Sequence, residues 1–228
     1  MAYWGFDKMV IPSQTALMKA SQAGFKFVID YLAPTLNKVR QDTSWVGQRA
    51  NVISAGLAPV PFYLARKFYT NTVYYLNDGT AEGQDAVNLA LAQGYSTGTY
   101  IYIDIENPCQ PQDQNSASYY QYIKGWVQVV IAMGFNPGIY CSYLCAGAIK
   151  TALTGFTGLR FWVYHLDSSQ NIYPMNGPAP LVSNCGYSEA TTWQFRQQLT
   201  NYIIPGATLD DVNGPIDLDT SNFTDPAH

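Results

Sequence analysis

Two carboxylates placed two residues apart on one strand are the clearest chemical signal in this chain. They are Asp104 and Glu106, at the end of Thr99-Tyr-Ile-Tyr-Ile-Asp-Ile-Glu106. Six of those eight residues are β-branched or aromatic, and Asn107-Pro108 stops the run, which predicts a strand with a sharp end. On a strand, residues i and i+2 share a face and lie ~6.5 Å apart along the chain. Each acid raises the proton affinity of the other, so near neutral pH one is charged and one protonated. That is the requirement of glycosidase chemistry: a proton donor beside a stabilising carboxylate. The competing reading is a strand end that meets solvent.

The elements that must position this pair follow from the alternation along the chain. Strands are predicted at Tyr3–Asp7, Phe25–Leu32, Leu57–Leu64, Thr99–Glu106, Pro137–Cys141, Leu159–Leu166, Thr191–Gln197 and Pro215–Asp219. Helices are predicted from Ser13 to about Ala23, from Thr43 or Ser44 to Ala55, from Thr80 to Gln93, from Ser116 to Met133 and from Tyr143 to Leu153. Pro59 and Pro61 mark the third strand as irregular or edge-like. Asp167 to Glu189 reads as a long loop. Eight strands, with helices after only the first five, imply parallel strands and a closed barrel in one domain over residues 1–228. The predicted class is α/β, a flattened TIM-like barrel.

In such a barrel, functional groups gather at the C-terminal ends of the strands. Asp7, Asp30, Asp104, Glu106, His165, Asp217 and Asp219 all fall there, and as a set they would converge on one basin. Tyr31, Tyr63, Tyr140, Trp162, Tyr164 and Trp193 occupy matching positions and are candidates to stack on sugar rings. A one-residue slip in register reverses each assignment.

Composition supports a sugar ligand without specifying one. Charged residues make up 12 %, about half the usual share, while Tyr numbers 18 and Trp 5. Net charge is −4 with no basic cluster, which argues against nucleic acid and anionic membranes. No apolar run is long enough to span a bilayer. The chain lacks a nucleophile elbow, a phosphate-cradling loop and a dinucleotide fingerprint, so no cofactor is expected. With two His and no paired Cys spacing, no metal site is expected either. The four cysteines, Cys109, Cys141, Cys145 and Cys185, lean toward an oxidising compartment. A Cys109–Cys145 bridge suits their positions, although spacing alone does not pair them.

The order of motifs resembles a known group. Gly5-Phe6-Asp7, Pro12-Ser13 and Ala23-Gly24-Phe25-Lys26-Phe27-Val28 resemble the opening of bacterial glycoside-hydrolase-like barrel domains of unassigned function. These are relatives of glycoside hydrolase family 25, the Chalaropsis-type lysozymes. Thr99 to Glu106 resembles their D-x-E strand, and Thr192-Trp193-Gln194 with Ile216-Asp217-Leu218-Asp219 resembles their closing strands. Met9 stands where family-25 lysozymes place Ser, so the opening is nearer to the glycoside-hydrolase-like relatives.

The resemblance implies a barrel of eight strands and five helices. It also implies cleavage of peptidoglycan between N-acetylmuramic acid and N-acetylglucosamine. Glu106 would be the general acid, Asp104 the stabilising carboxylate, and Asp7 and Asp217 supporting acids. The expectation is therefore a monomeric lysozyme-type glycosidase acting outside the cytoplasm. It would be a secreted or phage-type lysin in mature form, or an antibacterial effector delivered without a signal peptide. The alternatives are an idle barrel that binds cell-wall or other glycan, and a glycosidase on another polysaccharide such as chitin.

Overall fold

The computed structural model describes residues 1–36, 43–65, 75–105, 116–167, 177–200, 203–204, 207–208 and 215–228. Its strands are β1 (Tyr3–Lys8), β2 (Phe25–Leu32), β3 (Ala58–Leu64), β4 (Tyr100–Ile105), β5 (Asn136–Ser142), β6 (Arg160–Tyr164), β7 (Ala190–Leu199), β8 (Ile203–Ile204), β9 (Ala207–Thr208) and β10 (Ile216–Ser221). The helices are α1 (Gln14–Gln22), α2 (Arg49–Ser54), α3 (Leu76–Ala92), α4 (Ser116–Ala132) and α5 (Tyr143–Ala152). Eight strands close a barrel in the order β1-β10-β7-β6-β5-β4-β3-β2, and β8 and β9 form a small hairpin apart from it. The fold is the α/β barrel expected from the alternation.

Local chemistry explains most of the elements. Ser13 caps α1 by accepting the Ala16 N–H at 3.2 Å, and Ala16, Leu17 and Ala20 give the helix its buried face. The second helix starts later than expected. Ser44 accepts the Ile11 N–H, the Trp45 indole donates to the Lys8 and Met9 carbonyls, and Gly47 has a φ of 76°. Residues 43–48 are thus tied down as turns. The third helix starts earlier, at Leu76, because Asp78 accepts the Tyr75 N–H across its first turn.

Two expectations about strands are corrected. β3 is not an edge, since it pairs in parallel with both β2 and β4. The β3–β4 ladder begins only at Phe62, beyond Pro59 and Pro61, so the missing N–H groups do not interrupt it. β10 is not parallel to its neighbours. It runs antiparallel to β1 and β7, as a connection whose sequence shows no helical period permits. Its beginning, rather than its end, therefore lies at the C-terminal pole of the other strands.

Aromatic rings fill the barrel. Trp162 meets Phe27, Phe62 and Tyr102 edge-on at centroid distances of 5.7, 5.5 and 5.4 Å. Gly5 and Gly138 make room for them: a Cβ at Gly5 would lie 2.1 Å from the Phe27 ring, and one at Gly138 2.4 Å from Tyr102. Residues beyond β10 close the N-terminal pole. The Pro226 carbonyl accepts from the Tyr102 hydroxyl (3.0 Å) and from Arg160 (2.9 Å), and the Ala227 carbonyl accepts the Tyr100 N–H at 2.8 Å.

Cys145 is disulfide-bonded, whereas Cys141 and Cys185 are buried free thiols. Cys109 lies outside the described residues, and with it the expected pairing.

Candidate active site

Alternation along each strand decides which side chains face the basin. On β1 the inward residues are Gly5 and Asp7, and the Phe27 ring against Gly5 sets the parity of β2, so Tyr31 also points inward. On β4 and β5, Tyr102 and Tyr140 are inward, and Asp104 shares the face of Tyr102 and the register row of Tyr140. Asp217 sits opposite Asp7 in the β1–β10 ladder. Because β10 is antiparallel, Asp219 lies one step deeper, opposite Gly5.

A glutamine joins these groups. Gln194 of β7 has no exposed surface. Its Oε1 accepts from the Tyr140 hydroxyl at 2.7 Å and from Gln197 at 2.5 Å. Its Nε2 donates to Asp7 and to Asp217, each at 3.5 Å. Asp7 also accepts the Tyr31 hydroxyl at 2.6 Å, and Asp217 accepts the Gln198 N–H at 2.6 Å. One amide thus spans two acids and a phenol, with Asp104 in the row beside that phenol. Asp7 and Asp104 keep 7 % and 6 % of their surface open, whereas Asp219 has none.

Asp219 accepts the Trp162 indole N–H at 3.0 Å. Burial, then the charges of Asp7 and Asp217, push its carboxyl well above the usual carboxylate range. Trp162, expected as a sugar contact, is fully buried beneath the acids and forms their floor. Tyr164 reaches the same side and packs on Tyr140 at 5.6 Å.

Four other expected contacts face away from the basin. Tyr63 donates to Asp85 of α3 at 3.0 Å, and Asp30 accepts from Tyr95 at 2.6 Å in the helix layer. Burial pushes Asp30 up to about 6, partly offset by the Tyr95 hydroxyl and Arg49. The Trp193 indole donates to the His165 carbonyl at 2.8 Å, and its ring packs on Phe195 outside the barrel. His165 stacks on Tyr143 at 3.8 Å, and its Nδ1 lies 2.8 Å from the Cys185 carbonyl. A cleft of about 380 Å³ at the opposite pole is walled by Arg49 and Tyr95, and none of the basin acids lines it.

Glu106 follows Ile105, the last residue of β4, and lies outside the described residues. Among the described residues, no cluster of His, Cys, Asp and Glu is arranged to hold a metal ion, and no helix is long and apolar enough to cross a membrane.

Gln194 is the basin residue that reading for acids and aromatics passes over. The available signal was its neighbour: if Trp193 faces the helices, Gln194 faces the basin.

Comparison with known proteins agrees with the fold. The family described as Rv2525c-like, glycoside hydrolase-like domain matches residues 18–214. An uncharacterized protein of B. stearothermophilus superposes with a TM-score of 0.62 at 19 % identity, covering 96 % of both chains. The spore cortex lytic enzyme SleM of Clostridium perfringens gives 0.61 at 14 % identity, over 96 % of this chain and 67 % of that one. The modular autolysin LytC of Streptococcus pneumoniae, in complex with a synthetic peptidoglycan ligand, gives 0.58 at 13 % identity, over 96 % of this chain and 46 % of that one. At these identities the structural likeness is one of fold. No curated protein matches the sequence significantly.

Proposed function

Given that the chain belongs to the Rv2525c-like, glycoside hydrolase-like family, we propose that it cleaves the glycan strands of peptidoglycan as a lysozyme-type glycosidase outside the cytoplasm. The observation that carries this reading is the Gln194 amide, which ties Asp7 and Asp217 to Tyr140 in the row beside Asp104. It presents acids at one pole of a barrel whose floor is buried and aromatic. Such a basin suits an electron-poor sugar ring, where negative charge stabilises the positive charge that develops as the glycosidic bond breaks.

In this reading Glu106 donates its proton to the leaving glycosidic oxygen, and Asp104, two residues earlier, keeps that proton affinity high. Asp104 also stabilises the oxocarbenium-like centre, and water then adds to the sugar carbon and gives its proton to the Glu106 carboxylate, which completes hydrolysis and restores the acid. Asp7 and Asp217 hold the substrate's polar groups with Tyr31. The likeness of fold to a spore cortex lytic enzyme, SleM, and to an autolysin bound to a synthetic peptidoglycan ligand, LytC, supports peptidoglycan as the polymer.

The test is release of reducing ends from purified peptidoglycan by wild type and Glu106→Gln. The exchange preserves shape and removes the proton, so the rate should fall on the order of 10²-fold or more. An inactive wild type that still sediments with cell wall would replace this reading with a glycan-binding barrel. Undiminished activity in the variant would move the acid to another residue.

A further inference from the structure

Three carboxyl groups enter the barrel from two adjacent strands. Asp7 and Asp217 face each other, and Asp219 shares the face of Asp217 one step deeper. At that depth β1 offers only Gly5, against which the Phe27 ring packs. The hydrogen-bond donors are unevenly divided. Asp7 receives Tyr31 and Gln194, and Asp217 receives Gln198 and Gln194. Asp219 receives the Trp162 indole on Oδ1, while its buried Oδ2 has no hydrogen-bond partner among the described residues.

A carboxylate with one donor in a buried aromatic layer is costly to ionise, and more so with two acids above it. The charged groups acting on it are Asp7 on β1 and Asp217 on its own strand, and its polar neighbour on β6 is Trp162. We infer that Asp219 is a positioning residue that works as a neutral acid. It carries a proton beneath Asp7 and Asp217, anchors Trp162 through Oδ1, and so leaves the two upper acids ionised over a fixed floor. Its effect on turnover rests on the glycosidase reading above; its protonation and its hold on Trp162 do not.

Asp219→Asn keeps the shape, the neutrality and the acceptor for Trp162, whereas Asp219→Ala keeps only neutrality. Infrared difference spectra of wild type against Asp219→Asn near neutral pH should show the loss of one neutral-carboxyl C=O band. A proton on another acid cancels in the difference. In nitrogen–proton NMR spectra, the Trp162 indole resonance should stay in place in Asp219→Asn and move in Asp219→Ala. On peptidoglycan, Asp219→Asn should keep kcat and KM near wild type, and Asp219→Ala should lower kcat by about ten-fold through a displaced floor, with KM unchanged. If no carboxyl band is lost, Asp219 is ionised and the inference fails. It fails equally if Asp219→Asn is as impaired as Asp219→Ala. If the band and resonance behave as expected but wild type cleaves nothing, the neutral acid stands and the hydrolase reading falls.

Discussion

Replacing Gln194 with leucine removes the strut of the basin while nearly preserving volume. The Tyr140 hydroxyl loses its 2.7 Å acceptor at a site only 3 % exposed, which costs about 1–3 kcal/mol. Asp7 and Asp217 each lose a donor at 3.5 Å, a distance at the long limit, worth roughly 0.5 kcal/mol apiece. Gln197 loses its acceptor too, but it is half-buried and can turn to water. The total is about 2–4 kcal/mol. For a domain of this size each kcal/mol lowers Tm by about 2–4 °C, so calorimetry near neutral pH should show a fall of roughly 5–15 °C. Peptidoglycan turnover should fall with it at temperatures where the variant is folded, because Asp7 and Asp217 lose their shared donor. A Tm within ~2 °C of wild type, with unchanged turnover, would refute the role given to this amide.

Asp30 makes a pH prediction. Its carboxyl is pushed up to about 6 by burial, so the native state holds the proton more tightly than the unfolded chain. Stability from this group is then fully present below about pH 4 and declines by roughly 2–3 kcal/mol as pH rises to about 6. Unfolding titrations of Asp30→Asn should lack that decline, and parallel curves for the two proteins would exclude it. Two glycines should respond in opposite directions. A Cβ at Gly79 of α3 would lie 1.8 Å from the Tyr122 carbonyl oxygen of α4, so Gly79→Ala should cost about 1–3 kcal/mol or more by forcing the helices apart. Gly147 in α5 has open space around it, and Gly147→Ala should add about 1 kcal/mol, both read from denaturant midpoints.

The barrel was legible because each strand and helix carries its own period and stop signals, and because β10 follows a connection whose sequence shows no helical period. The direction of β10 was not legible, since no residue in it records which way it runs. Site residues divided by parity. Tyr31 and Asp30 are adjacent on one strand and cannot both face the basin, and the same holds for Gln194 and Trp193. The glycines settle the parity: Gly5 must face inward because the Phe27 ring occupies its side-chain space. That contact joins two strands, so one strand's sequence does not contain it. Asp104 and Asp7 were identifiable as acids at strand ends, whereas Gln194 is uncharged and stands out only through the four groups it joins, Tyr140, Gln197, Asp7 and Asp217.

The antiparallel seam between β1 and β10 also governs how the molecule must be assembled. Strand pairs from β1 to β6 form between consecutive strands, each parallel pair joined through one intervening helix. The seam joins Tyr3 to Ser221 and Asp7 to Asp217, among the longest-range contacts available in the chain. Until residues 216–221 have been synthesised and docked, β1 and β7 are open sheet edges that invite pairing with another chain. The basin does not exist before that moment, because Asp217 and Asp219 arrive with the seam. Refolding should therefore be slow for a protein of this size, as is general where non-local strand pairing closes the structure. A nascent chain would stay inert toward glycan until its closing strand has arrived.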